Sequence, residues 1–286
     1  MTPDARRLRQ TRPTLVLLAV TGIATVLPPA ARAQQAPIQV EPSAVRQGAD
    51  LEQSQWQVRL GAGVAFGPAY PGSSTIRALP LPVVEIAYRP ELPFLDSVFL
   101  NGRDGFGAVV FRQGPISIGG SIGFAPGRDQ DVAARLHGMG DIEAAARASA
   151  FVRADFGPFG LSLQSFTAVG DQQGTTVVLG ASLGQPIAPG LMMMGKVEAT
   201  WADQDNMQEW FGVTAQQASR SRFAAYNAGA GFRSVSANLT AIYKITDTWS
   251  VSVSGGVSQL LGDAADSPIT QRATQPFGLL GFTYRF

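Results

Sequence analysis

The sequence predicts an all-β protein, a transmembrane antiparallel β-barrel of about twelve strands, and three observations lead there. Many segments alternate apolar with polar or small residues at period two, the spacing that sends successive strand side chains to opposite faces. Beyond residue 33 no apolar run approaches the roughly 20 residues that a transmembrane helix needs. The composition suits a sheet with one face in lipid and the other in a lumen. It has 32 Gly, Lys only at Lys196 and Lys244, and a mean hydropathy close to neutral, because the two faces average out along each strand.

Residues 1–33 read as a secretory signal. Arg6, Arg7, Arg9 and Arg12 form a basic region, and Leu15 to Leu27 is an apolar stretch too short to span a bilayer. Ala31-Arg32-Ala33 offers a small-x-small cleavage site. Without this segment Lys+Arg falls from 22 to 17 and Asp+Glu from 21 to 20, a net charge of about −3 that argues against a nucleic-acid partner. The chain has no Cys, so an exported protein of this size must be held by a large core or by a closed hydrogen-bonded sheet. Residues 34–55 carry Pro37, Pro42, Gly48 and scattered charges without period and read as a periplasmic tail; residues 56–286 form the expected barrel.

The candidate strands are 56–67, 78–88, 97–101, 104–112, 116–125, 141–156, 159–170, 174–184, 191–201, 235–245, 249–259 and 276–286, with a further short piece before Val235. The clearest pair flanks Thr246-Asp247-Thr248, which reads as a tight hairpin turn. Val235, Ala237, Leu239, Ala241, Tyr243 and Ile245 share a face in the first strand, opposite Ser236, Asn238, Thr240, Ile242 and Lys244, and Trp249, Val251, Val253, Gly255 and Val257 share one in the second, opposite Ser250, Ser252, Ser254, Gly256 and Ser258. A helix cannot use that pattern.

Asp141 to Phe156 is the hardest segment, because its alanines favour helix locally and Glu143 with Arg147 has helical ion-pair spacing. As a strand it has an unbroken apolar face from Ile142 through Ala144, Ala146, Ala148, Ala150, Val152 and Ala154 to Phe156, opposite Glu143, Arg147, Ser149, Arg153 and Asp155. As a helix, its apolar stripe runs into Arg153. The strand reading is the consistent one, and it aims Arg147 and Arg153 into the lumen beside Glu143 and Asp155.

Connection lengths then set the parity. The short links 113–115, 157–158, 185–190 and 246–248 fall on one side of the sheet, and the long ones 126–141, 202–225 and 261–275 on the other. Outer-membrane barrels have short periplasmic turns and longer external loops, so alternation gives twelve strands with both termini in the periplasm. Ten or fourteen strands stay open, because 97–112 and 222–235 read either way.

In the last strand Gly278, Leu280, Phe282, Tyr284 and Phe286 share one face. An ordinary sandwich edge strand is the alternative. A closing strand that ends on an aromatic residue resembles the assembly signal of bacterial outer-membrane barrels, which makes Phe282, Tyr284 and Phe286 candidate signal residues and implies the β-barrel assembly machinery and outer-membrane lipid as partners. Tyr243, Trp249, Tyr284 and Phe286 then gather near the periplasmic rim, where an aromatic girdle is expected.

Several segments go beyond general barrel character. They are Gly67-Pro68-Ala69-Tyr70-Pro71-Gly72-Ser73, the strand LPLPVVEIAYRP from Leu79, Trp210 to Ser221 with FGVTAQQASRS, Tyr226 to Gly231, ITDTW, and LLGDAADSPIT from Leu260. Together, from about residue 56 to the end, they resemble the MipA/OmpV family. The resemblance singles out Gly67, Pro68, Tyr70, Gly72, Phe211, Gly212, Gly262, Asp263, Ser267 and Pro268. It implies location in the outer membrane of a Gram-negative bacterium and an envelope scaffold role toward a murein transglycosylase and a murein synthase. A passive small-solute pore and a surface adhesin are the alternatives.

These residues also have plain structural uses. Asp263, Asp266 and Ser267 before Pro268 make turn and capping chemistry, and Gly72 permits a positive φ after Pro71; a cation or lipid headgroup is the binding alternative. Asp203, Asp205 and Glu209 could hold a divalent ion through oxygen ligands but read better as a solvated acidic loop. The single histidine, His137, lies in an expected long loop beside Gly138 and Gly140, a poor basis for a Ser/His mechanism. The expectation is therefore a protein that is not an enzyme, with no cofactor and no metal.

Overall fold

The computed structural model describes residues 55–170 and 174–286, so the expected signal (1–33) and all but the last residue of the expected tail (34–55) lie outside the described residues. Twelve strands close into one antiparallel barrel. They are β1 (Trp56–Pro68), β2 (Ile76–Tyr88), β3 (Ser97–Asn101), β4 (Gly105–Gln113), β5 (Ile116–Ala125), β6 (Ala145–Phe156), β7 (Phe159–Val169), β8 (Thr175–Ala188), β9 (Leu191–Ala202), β10 (Gly231–Lys244), β11 (Trp249–Leu260) and β12 (Thr274–Arg285). Consecutive strands pair, and β12 returns to β1 in the register Leu60↔Tyr284 to Phe66↔Gly278, which closes the ring.

Apart from register shifts in β4, β8 and β10, the strands follow their sequence period, with the hydrophobic pattern turned outward. Leu60 and Phe66 on β1, Leu163 on β7, Leu179 on β8, Val197 on β9 and Val253 on β11 are exposed, whereas Gln164, Lys196, Thr240 and Ser254 on the inner face are buried. Such a surface is stable only where lipid supplies the apolar phase, and closure is what lets the wall satisfy its backbone groups there. At the end that carries the short turns Trp56 lies tilted against Tyr88 at 4.6 Å, and Trp249 meets Phe282 at 4.6 Å and Tyr284 at 4.9 Å. These rings form the aromatic girdle.

The expected strands 97–101 and 104–112 are separate strands, and the piece before Val235 is the start of β10, continued through a register shift between Phe232 and Ser234. The strand expected from Asp141 begins only at Ala145. Ile142 pairs instead with Arg128 in an isolated bridge and is buried among loop residues, because packing there outweighs the alternation that it continues. The expected link 185–190 is shorter, since β8 runs to Ala188 and absorbs Pro186 at a bulge, the usual place for proline in a sheet. The long connection after β9 is not a plain loop: it holds α1 (Gln204–Phe211) and α2 (Ala215–Arg220), and α3 (Gly262–Asp266) follows β11.

One hairpin breaks the even height of the wall. β3 has five residues and meets β2 only from Glu85↔Asn101 to Tyr88↔Val98, although β2 continues upward to Ile76. The tip between β3 and β4 therefore ends part-way up the barrel.

Candidate functional site

The tip of that hairpin is shaped by its own sequence. Asn101 Oδ1 accepts from the Arg103 N–H at 2.9 Å and from the Asp104 N–H at 2.7 Å, a side-chain-closed turn, and Gly105 follows at φ +77. The turn carries Arg103 and Asp104 inward, where both are buried. The close approach of the Asp104 carbonyl to Gly123 on β5 leaves no room for a Cβ there.

Arg103 crosses the lumen. Its Nη2 lies 3.4 Å from Glu198 Oε1 on β9, on the opposite side of the ring, and Lys196 Nζ holds the same oxygen at 2.8 Å. Asp104 Oδ1 accepts from Gln164 Nε2 on β7 at 2.9 Å, and Asp104 Oδ2 lies 3.4 Å from Arg153 Nη2 on β6. Arg147 Nη2 donates to the Arg103 carbonyl at 2.6 Å. The two arginines also lie over aromatic faces, Arg147 over Phe166 at 4.3 Å and Arg153 over Phe151 at 4.1 Å.

The lumen placement of Arg147 and Arg153 is as the alternation predicts. Glu143 lies in the connection before β6, and Asp104 on the hairpin tip is a carboxylate that meets Arg153. The residues missed by sequence reasoning are thus Arg103, Asp104, Gln164, Lys196 and Glu198. Asn101-Gly102 is a local signal that could have marked the turn, but nothing local tells that its tip points inward.

Above this bridge four connections at the end opposite the short turns form a cap. Tyr70, from the β1–β2 connection, packs with Leu136, Met139, Val213, Phe223 and Ile269 from three others. A second cluster joins Ile142, Met207, Trp210 and Phe211 to Ala228, Leu260 and Ala264. Four of the segments that carry the family resemblance, 67–73, 210–221, 226–231 and 260–270, meet here. Tyr70 OH donates to the Ile269 carbonyl at 3.3 Å, Ser267 Oγ donates to the Phe211 carbonyl, and Arg135 Nη2 donates to the Pro268 carbonyl at 2.9 Å. Asp263 Oδ2 accepts from the Gly229 N–H at 2.6 Å, and its carbonyl accepts from Tyr226 OH at 3.1 Å.

The glycines of these segments serve the same contacts. Gly72 has φ +95 against Thr270, and its carbonyl accepts from the Gln271 and Arg272 N–H groups. Gly212 ends α1 against Gln208, and Gly262 opens α3. Gly67 and Pro68 end β1 opposite Arg77 and Ile76. Phe282, Tyr284 and Phe286 lie at the other end of the barrel, on the outer face of its last strand.

Burial marks the charged groups of the cap. Arg128 is almost fully enclosed, donates to the Trp210 carbonyl at 3.1 Å, and is pushed down to about 10 by desolvation. The Tyr70 phenol is pushed above its ordinary 10.0, also by burial, with Arg135 and Arg128 opposing the rise. Asp203 acts locally: its two oxygens accept from the Asn206 N–H at 2.9 Å and the Thr175 N–H at 2.7 Å, capping α1 and tying it to β8. Asp205 stands in the first turn of α1, where a carboxylate suits the helix dipole. His137 Nε2 lies 3.2 Å from Asp131 Oδ1, both side chains being exposed.

No curated protein matches the chain. Among solved structures it is similar to the KdgM porin at 11% identity and TM-score 0.40, over 80% of this chain and 99% of that one. It is similar to the CymD monoaromatic hydrocarbon channel at 11% and 0.40, over 82% and 89%. A third is the translocator domain of the autotransporter NalP from Neisseria meningitidis, at 11% and 0.40, over 85% and 93%. The lipid-facing wall and the family assignment place the protein in the outer membrane of a Gram-negative bacterium. The model of the family described as MltA-interacting protein MipA matches residues 60–286, from the first strand to the last, and the chain belongs to that family.

Proposed function

We propose that this barrel is closed to solute flow and works as a non-catalytic interaction protein of the envelope, holding a murein hydrolase or murein synthase at the outer membrane. The observation that carries the reading is the link from Arg103 to Glu198, which joins opposite walls beneath a cap with its own packed interior. Twelve strands enclose a lumen between the packed eight-stranded barrels and the open porins of roughly 16 to 18 strands, so one bridge fills much of the cross-section. The family description, MltA-interacting protein, supports a murein transglycosylase as the partner class. On the periplasmic side Leu92 and Phe94 of the β2–β3 connection are exposed at 45% and 70%, an apolar contact available to such a partner.

A passive pore is the second reading. Arg103, Arg147, Arg153 and Lys196 outnumber Asp104 and Glu198 around the bridge, so an opened lumen would favour anions. Planar-bilayer recording together with use of the protein as bait in mild detergent separates the two. The first reading expects no stable conductance and a retained murein enzyme. Large, reproducible single-channel steps with nothing retained would assign the pore.

A further inference from the structure

The short hairpin leaves an opening in the wall as well as a bridge in the lumen. β2 pairs with β1 along its whole length, but β3 reaches only Glu85 to Tyr88, so Ile76 to Val84 have no strand on their second side. Across the gap β5 extends by Gly123, Phe124 and Ala125 beyond its last pair with β4. The hairpin tip is the floor. The roof is the β5–β6 connection, which returns to β2 where Arg77 Nη2 donates to the Val132 carbonyl.

This window lies in the apolar band, since the outward residues beside it are Ile76, Ala78, Pro80, Pro82 and Val84. Proline has no N–H, and the unbroken β1–β2 ladder requires the nitrogens of Pro80 and Pro82 to point away from β1, into the gap. An edge built this way resists strand addition, so a second copy of the chain is a poor occupant. On its lumen side the same strand presents Leu79, Leu81 and Val83, all half-buried. The nearest residues to Leu81 on its cross-strand row, Gly63 and Gly281, are small. The result is an apolar lumen wall reached from the membrane.

We propose that this window admits an acyl chain of an outer-leaflet lipid, which lies against Leu79, Leu81 and Val83 above the polar floor made by Arg103 and Asp104. By the same ladder parity the N–H groups of Ile76 and Ala78 open toward the gap at its upper end, where ester or amide oxygens of the lipid can accept from them. The proposal does not depend on whether the protein binds a murein enzyme.

The chain has no Cys, so single cysteines give clean labels. The full-length protein carrying Leu81→Cys, Ser252→Cys or Val253→Cys is labelled with a small fluorophore and placed in nanodiscs of phosphatidylcholine with brominated acyl chains. Ser252 faces the lumen and Val253 faces lipid. The expected result is loss of fluorescence at position 81 comparable to that at 253, with position 252 unaffected. Quenching at 81 by aqueous iodide and not by brominated chains would overturn the proposal, as would disulfide-linked dimers of a Pro80→Cys protein. If Leu81→Cys fails to fold, Leu79→Cys and Val83→Cys read the same wall.

Discussion

Arg103, on the turn between β3 and β4, meets Glu198 on β9 across the full width of the lumen, with Nη2 3.4 Å from Oε1. A buried ion pair adds little net stability, because desolvation offsets attraction, but removing one partner leaves a charge without compensation. The pair is therefore better read as a device that pins the tip of the hairpin in the lumen than as a source of stability.

Arg103→Ala unpins that tip. Glu198 keeps Lys196, so the loss in stability should sit near the low end for a broken buried pair, about 3 kcal/mol, read by urea unfolding of the reconstituted protein. In planar bilayers the same variant should show conductance steps that the parent lacks. A variant as silent as the parent would mean that the cap, not the bridge, closes the lumen.

The wall register gives a second expectation. Val253 points to lipid and Ser252 to the lumen, so Val253→Arg should cost roughly 2–4 kcal/mol if the residue lies near the bilayer midplane, while Ser252→Arg should cost less. Unfolding of both variants in liposomes checks the difference. Equal costs would contradict the assignment of faces.

The two faces were legible because lipid and lumen impose opposite demands on neighbouring residues, as the run from Trp249 to Leu260 shows. Capping was legible in principle too: Thr214 and Gln217 form a complete capping box, a local signal for α2 inside what reads as a long loop. The bridge was not. Arg103 and Glu198 are 95 residues apart, and no local pattern states that a five-residue strand will stop short and fold its tip inward. Ile142 shows the same limit in reverse, since it continues the alternation of β6 yet is drawn into the cap.

Cap stability should depend on alkaline pH through Tyr70. The buried phenol ionises above its ordinary 10.0, so its contribution is complete below that pH and is lost as pH rises through the raised folded value. Arg128, lowered to about 10, acts in the opposite direction; burial is the main cause of its shift and stays in the variant, which loses only the opposing interaction with the Tyr70 phenol. Tyr70→Phe should therefore cost about 1 kcal/mol at pH 8 through its lost hydrogen bonds to Ile269 and Gln271, and the deficit should shrink above pH 10. Melting of the two proteins at both pH values checks the sign.

The last strand carries the assembly expectation. The Phe286 N–H donates to the Val58 carbonyl at 3.0 Å, one of the bonds by which the end of the chain joins the first strand. Its ring lies 4.7 Å from Tyr284, which in turn meets Trp249, so Phe286 extends the girdle at the periplasmic rim. Phe286→Asp keeps the backbone bond and replaces the ring with a charge at a position that is 73% exposed toward the interface. Deleting the residue removes both. Both variants should fail alike, with the protein missing from outer-membrane fractions. If the backbone bond is what matters, only the deletion should fail, and normal membrane levels of Phe286→Asp would show it.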